Sequence, residues 1–234
     1  MPNFPDGFDL VTDEVAITDR VLRVTHPRVA EDLIDEAEYE EDERLPYWAD
    51  LWPSGIVLAR HLAGLDLTGV RIIEMGAGLG LPSVVAALGG AYVLATDWYG
   101  VALEFATANA AQNDAPALAT RLVDWAAPPA DLLDGPRFDL VIGADVAYES
   151  RHGAQLAPLI LRLVRDGGEV LIADPRRPAV SSLVTNMREA GWRHAREEVE
   201  YEGRADEQGR VVYLHRFTDP PWRNPSLGTA EDIG

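Results

Sequence analysis

The 234-residue sequence contains no cysteine. Disulfides, thiolate zinc sites and thiol nucleophiles are excluded with it. Lysine is missing as well, and all 20 basic residues are arginine. A phosphate-binding P-loop needs its lysine and a Schiff-base enzyme needs a lysine amine, so neither can be built from this chain. Long apolar runs are absent. The most apolar stretch, Leu81 to Ala95, is interrupted by Pro82 and two glycines and is too short to span a bilayer. The opening MPNFPDGFDL lacks the basic and apolar regions of a signal peptide, so a cytoplasmic protein is expected. Basic charge is scarce: 39 acidic residues leave a formal net charge of −19. Such a surface repels nucleic-acid phosphate and anionic membranes and favours basic partners, within the reach that salt screening allows. The five histidines (His26, His61, His152, His194 and His215) show no metal-ligand spacing, and no metal is expected.

What is present is an ordinary globular composition, 47% apolar and 25% charged, sufficient for the core of one sizeable domain. Residues 1–45 differ from the rest. Val15, Ile17, Val21, Leu22 and Val24 form two strand-like runs around Thr18-Asp19-Arg20, the pattern of a hairpin. The acidic run Glu31 to Glu43 reads as a solvated face, or as a fence for a basic substrate. From Trp52 onward, strands and helices alternate. Ser54 is placed to cap a helix through Leu65. Strands are expected at Val70–Glu74, Ala91–Thr96, Leu118–Val123, Phe138–Ala144 and Glu169–Ala173. Helices are expected at Pro82–Leu88, Val101–Ala111, Gly153–Val164 and Val180–Ala190. Trp192–Tyr201 and Arg210–Phe217, joined by a polar link, close the sheet as an antiparallel hairpin. This alternation predicts a doubly wound, mostly parallel α/β domain over residues 46–218, after an N-terminal extension (1–45) and before a loose tail (219–234).

In such sheets the ligand lies at the carboxyl ends of the strands. Those ends carry Glu74, Asp97, Asp124, Asp145 and Asp174, an acidic rim. The turn Gly76-Ala77-Gly78-Leu79-Gly80 follows the first strand and lets backbone approach a ligand. Asp97 ends the second strand, where a carboxylate accepts both hydroxyls of a ribose. A nicotinamide-binding turn wants G-x-G-x-x-G, whereas this chain has Leu81 at the sixth position, and Glu74 opposes a pyrophosphate. S-adenosylmethionine carries a sulfonium and an ammonium and no phosphate, so the acidic rim favours that methyl donor over a dinucleotide.

Three blocks resemble the seven-strand protein methyltransferases of family 16: Leu45-Pro46-Tyr47-Trp48-Ala49-Asp50-Leu51-Trp52-Pro53-Ser54-Gly55, Glu74-Met75-Gly76-Ala77-Gly78-Leu79-Gly80 and Gly143-Ala144-Asp145-Val146-Ala147-Tyr148-Glu149. That family includes chaperone-directed lysine methyltransferases and the enzyme acting on the electron-transfer flavoprotein β-subunit. Ala173-Asp174-Pro175-Arg176-Arg177-Pro178 resembles the flavoprotein-directed branch, which usually has glycine in place of Arg176. The resemblance covers about residues 45 to 217. It implies a class I, Rossmann-like seven-stranded methyltransferase fold and S-adenosylmethionine as cofactor. It places Trp52 and Trp98 near that cofactor, Glu74, Gly76, Ala77 and Gly78 along its methionine and ribose, and Asp97 on the ribose hydroxyls. Asp124 and Trp125 would flank the adenine, and Ala144 would line the pocket under Asp145. A flat apolar ring beside a strand-end acid suits an adenine face and its amino group.

Asp145 and Tyr148, three residues apart past a strand, are the catalytic candidates. Asp145 is expected to receive and orient the incoming ammonium, and Tyr148 to wall or hydrogen-bond the amine. Arg176 and Arg177 read as solvated helix-start residues, with contact to an acidic substrate patch as the alternative. The leading reading is N-methylation of a lysine side chain of a protein, the flavoprotein β-subunit being one partner. Methylation of a small pyridine-like nitrogen compound and a non-catalytic cofactor-binding module are the competing readings. The chain has no lysine side chain of its own to methylate.

Overall fold

The central strands are apolar on both sides, as a sheet covered by helices on two faces requires. In β3 (Arg71–Met75) and β6 (Phe138–Ala144) alternate residues divide between two cores. Ile72, Leu140 and Ile142 enter one; Ile73, Met75 and Val141 enter the other. The computed structural model describes residues 2–29, 46–201 and 210–218. The acidic run, the link between the last two strands and the tail after Thr218 lie outside the described residues.

The main sheet has seven strands in the order β5 (Ala119–Leu122), β4 (Tyr92–Asp97), β3, β6, β7 (Val164–Asp174), β9 (Arg210–Thr218), β8 (Arg193–Tyr201). The first five pair in parallel, and β9 is antiparallel to both β7 and β8. The predicted mostly parallel α/β sheet with an antiparallel C-terminal pair is therefore the observed fold. α1 (Pro53–Ala63), α2 (Leu81–Leu88) and α3 (Gly100–Gln112) cover one face. α5 (Ser150–Leu163), α6 (Val180–Glu189) and the short α4 (Ala130–Leu133) cover the other. Strand order reverses between β3 and β6, which opens a crevice at their carboxyl ends. Among the described residues no helix is long and apolar enough to cross a membrane.

The details differ from expectation at four places. Ser54 does not cap α1: Trp52 is the cap residue, Pro53 opens the helix, and Ser54 is fully buried with its hydroxyl unpartnered. β7 starts five residues earlier than predicted, with a register shift against β6 between Phe138 and Leu140. Gly168 permits that irregularity, since a Cβ there would lie 2.6 Å from Val164. Neither α4 nor the 3-10 turn at Tyr47–Ala49 was legible in the pattern.

β1 (Leu10–Ile17) and β2 (Arg20–Pro27) form the expected antiparallel hairpin as a sheet of their own. Val15, Ile17, Leu22 and Val24 bury one face against the core shared by α1 and α3. The free edge of β2 is held by side chains. Asn109 on α3 accepts the Thr25 N–H (2.8 Å) and donates to the Thr25 carbonyl (3.1 Å). Asn113, one turn on, does the same at Arg23 (2.9 and 2.7 Å). Two amides spaced four apart on a helix thus stand in for a neighbouring strand.

Candidate active site

The glycine turn after β3 passes between two tryptophans. A Cβ on Gly78, whose φ is +50°, would meet the Trp48 carbonyl oxygen at 3.2 Å. Gly80 is held closer still: at φ +79° its absent Cβ would sit 2.6 Å from the Ala106 Cβ of α3. Gly80 therefore packs loop against helix, the task that a sixth-position glycine has in a dinucleotide turn, and Leu81 is free to enter the core.

The five strand-end acids are not equivalent. Glu74 is buried and accepts both the N–H and the hydroxyl of Ser83 at the start of α2. Desolvation pushes its carboxyl up to about 8, so it is uncharged at neutral pH and contributes no charge to a rim. Asp97 is buried and accepts N–H bonds from Gly78 and Tyr99, 2.9 Å each, which ties the glycine turn to the end of β4. Burial raises its pKa and these bonds oppose the rise. Asp124 is half-buried and accepts the Ala126 N–H at 2.8 Å. Trp98 is exposed, and Trp125 is half-buried with its ring edge-on to His152 at 5.2 Å.

Asp145 lies on a backbone pinned at φ +56°, its N–H donated to the Ala173 carbonyl at 2.8 Å. Its carboxylate is not free. Arg177 Nε donates to one oxygen at 2.5 Å and Nη2 to the other at 3.0 Å. The Arg177 N–H is donated to Asp174 at 2.6 Å, and its guanidinium lies 5.9 Å from the Trp52 ring centroid. The carboxylate holds the Arg177 pKa above its ordinary value. Asp174, buried and with one oxygen unpartnered, is pushed up to about 6 by desolvation. Arg177 is therefore not the solvated residue expected from sequence, and Asp145 does not offer an open carboxylate to an ammonium. Opposite stand aromatic rings: Tyr47 is 5.9 Å from Trp52 and 5.3 Å from Tyr148, and Tyr148 is 4.5 Å from His152.

All the residues singled out as catalytic or cofactor-binding border one cavity of about 230 Å³. Tyr47 and His152, to which sequence reading assigns no role, border it too, as does Arg177, which reads from sequence as solvated or as a contact for an acidic substrate patch and not as Asp145's partner. Only the topology places Arg177: it stands three residues past β7, beside β6, which ends one residue before Asp145. The histidines are less scattered than their spacing implied. His194 and His215 stack on β8 and β9 with ring nitrogens 2.9 Å apart, and burial lowers both to about 4. Among the described residues no group of three or more side chains could hold a metal ion.

The sequence pattern of the lysine methyltransferase family matches residues 35–189, well over half of the chain. The protein belongs to that family. It is 40% identical over 112 residues to the protein N-lysine methyltransferase METTL21A of Danio rerio, covering 45% of this chain and 50% of the relative. To the electron transfer flavoprotein beta subunit lysine methyltransferase of Xenopus laevis it is 34% identical over 143 residues, covering 58% and 55%. To the histone-arginine methyltransferase METTL23 of Xenopus laevis it is 33% identical over 109 residues, covering 45% and 47%. The chain thus spans about half the length of these curated relatives. Among solved structures, a SAM-dependent methyltransferase from Agrobacterium tumefaciens superposes with a TM-score of 0.60 at 15% identity, covering 92% of this chain and 72% of that one. The fold is that of the class I methyltransferases.

The lysine methyltransferase family uses S-adenosylmethionine, and the donor set here fits that cofactor. The charged group hydrogen-bonded to the glycine turn, Asp97, is an acceptor and not a cation. Of the two arginines bordering the cavity, Arg177 is bound to Asp145 and Arg151 is paired with Glu149 at 2.7 Å, so neither serves the turn. Among the described residues no unpaired cation borders the turn for a pyrophosphate, whereas the carboxylate of Asp97 retains lone pairs for hydroxyl donors.

Proposed function

We propose that this chain is an S-adenosylmethionine-dependent N-methyltransferase acting on a lysine side chain of a protein. One observation carries the reading: carboxylate acceptors (Asp97, Asp124) and a flat ring (Trp125) suited to a cationic nucleoside, and an aromatic wall suited to an alkyl amine (Tyr47, Trp52, Tyr148), border a single cavity. Asp97 would accept the ribose hydroxyls while its backbone bonds keep the turn in register. Glu74, anchored on Ser83, would hold the base of the turn. Gly76, Ala77 and Gly78 would give room to the methionine portion, Ala144 would line the floor, and Trp125, with Trp98 and Asp124, would flank the adenine. When bound, the cofactor supplies a methyl group on a sulfonium.

The residues on the other side govern the acceptor. A lysine amine has an ordinary pKa near 10.4, so roughly one in a few thousand is neutral at pH 7, and only the neutral form is a nucleophile. Desolvation between Tyr47, Trp52 and Tyr148 disfavours the charged form, and the same rings align the alkyl chain. Asp145 is a positioning group, placed by its left-handed backbone and by Arg177. Fixing nucleophile and methyl group in line is worth about 7–11 kcal/mol in favourable cases. The name of the flavoprotein-directed relative supports the electron-transfer flavoprotein β-subunit as the first acceptor to try.

Incubating the protein with methyl-tritiated cofactor, the purified β-subunit and a cell lysate tests this. Label on a lysine of a protein band is expected, abolished by Asp97→Ala. Label only in small molecules, label only on arginine, or binding without transfer each overturns it. The chain has no lysine, so label on its own band would not be on a lysine side chain.

A further inference from the structure

We propose that Arg177 cancels the charge of Asp145, so that the methyl acceptor enters beside Tyr148 as an uncharged amine rather than as an ammonium held by the carboxylate. The inference deepens the proposed lysine methylation and rests on it. The pair is built in, not incidental. Asp145 is fixed by its left-handed backbone and the bond to Ala173, and its side chain is only 6% exposed. Arg177 is fixed by its N–H bond to Asp174 and by stacking on Trp52. Both carboxylate oxygens are taken by the guanidinium fork. A lysine ammonium is a point charge that cannot reproduce that bidentate geometry, so it is a poor competitor for Asp145. The electrostatic consequence favours chemistry. A lone carboxylate at the mouth would stabilise the ammonium, which cannot attack; a carboxylate already paired with a guanidinium does not.

Other charged or titratable groups face the pair from each surrounding element. These are Tyr47 and Asp50 before α1, Tyr148, Arg151 and His152 at the start of α5, and Asp174 at the end of β7. Glu74, Asp97 and Asp124 border the same cavity around the turn and β5. The variants below leave all of them in place, and work from pH 7.5 upward keeps Asp174 ionised. Glu74, which titrates at about 8, is common to all the proteins, so each variant is read against wild type at the same pH and the comparison is repeated in a Glu74→Gln background.

The test compares Arg177→Gln with Asp145→Asn, which shift the local charge in opposite directions. With protein saturated by S-adenosylhomocysteine, n-butylamine serves as the lysine side-chain probe, and n-butyltrimethylammonium as a fixed-charge control. Wild-type affinity for total butylamine should rise nearly a hundredfold from pH 7.5 to 9.5, following the neutral fraction. In Arg177→Gln that rise should flatten to less than fivefold, and the fixed cation should bind more tightly than to wild type. In methyl transfer to the acceptor, the acid limb of the kcat profile should move up by at least one pH unit in Arg177→Gln and down in Asp145→Asn. Arg177→Lys, which keeps the charge but loses the fork, should move the limb in the same direction as Arg177→Gln and by less. A uniform loss at every pH would mean a merely structural role, and faster turnover of Arg177→Gln at pH 7.5 would mean that Arg177 blocks the acceptor; either overturns the proposal. If Arg177→Gln does not fold, the downward shift in Asp145→Asn decides alone. Absence of any lysine methylation by the wild type defeats the proposed function itself, a separate result.

Discussion

Glu74 shows how a single side chain departs from its place in a pattern. Five strand ends carry a carboxylate, and sequence alone treats the five alike. Which way each turns decides its chemistry, and that depends on partners far along the chain, such as Ser83 nine residues on, whose N–H and hydroxyl draw Glu74 inward. The carboxyl pushed up to about 8 has a consequence for stability. Below about 4.5 both folded and unfolded chains hold the proton. Between there and 8 the unfolded chain releases it while the native one keeps it, so stability falls as pH rises through that interval. Asp174, at about 6, acts in the same direction over a narrower range. Glu74→Gln keeps the shape and cannot ionise. Thermal unfolding of the cofactor-free proteins at pH 5 and pH 8.5 should therefore show the variant gaining on wild type as pH rises. Parallel curves would mean that Glu74 is already ionised in the native state. Asp145 and Tyr148 were legible as a pair because three residues past a strand bring both to one mouth. Arg177 was not, because nothing in Pro175-Arg176-Arg177-Pro178 reveals that its fork reaches across to the neighbouring strand's end.

At the level of elements, periodicity read most of the sheet correctly because the strands of a covered parallel sheet are short, apolar and separated by amphipathic helices. It failed where an element carries little apolar signal. α4 buries only Leu132, and the turn at Tyr47–Ala49 is three residues long. The hairpin of β1 and β2 was legible, but its attachment was not: Asn109 and Asn113 look like ordinary polar residues of an alanine-rich helix. Because Asn109 and Thr25 are both buried, Asn109→Ala leaves a backbone N–H and carbonyl without partners. The loss should be about 2 kcal/mol, read as a fall in Tm of roughly 4–8 °C for a chain of this size. Asn113→Ala, at a half-buried position, should cost less than half as much. Equal and small effects of both would show that apolar packing of Val15, Ile17, Leu22 and Val24 alone holds the hairpin.

Over the whole molecule, charge is distributed in two ways. Two buried carboxylates are paired: Arg216 meets Glu169 through two bonds in the sheet, and Arg177 meets Asp145 at the cavity. Over the chain as a whole the charge is unbalanced: 39 acidic residues against 20 arginines leave a formal net charge of −19. Self-repulsion of that excess opposes compaction, and it acts over distances that salt shortens from about 30 Å at 0.01 M to about 8 Å at 0.15 M. The paired interior groups lie close together and are screened much less. Stability of the whole chain should therefore rise with sodium chloride between 10 and 150 mM at pH 7.5, by a few degrees in Tm. Arg177→Gln, which makes the chain more negative by one charge, should show at least as steep a rise. If Tm instead fell with salt, favourable surface pairs such as Arg28 with Asp9 and Arg121 with Asp131 would outweigh the excess, and the acidic surface would be held together by its arginines rather than strained by its carboxylates.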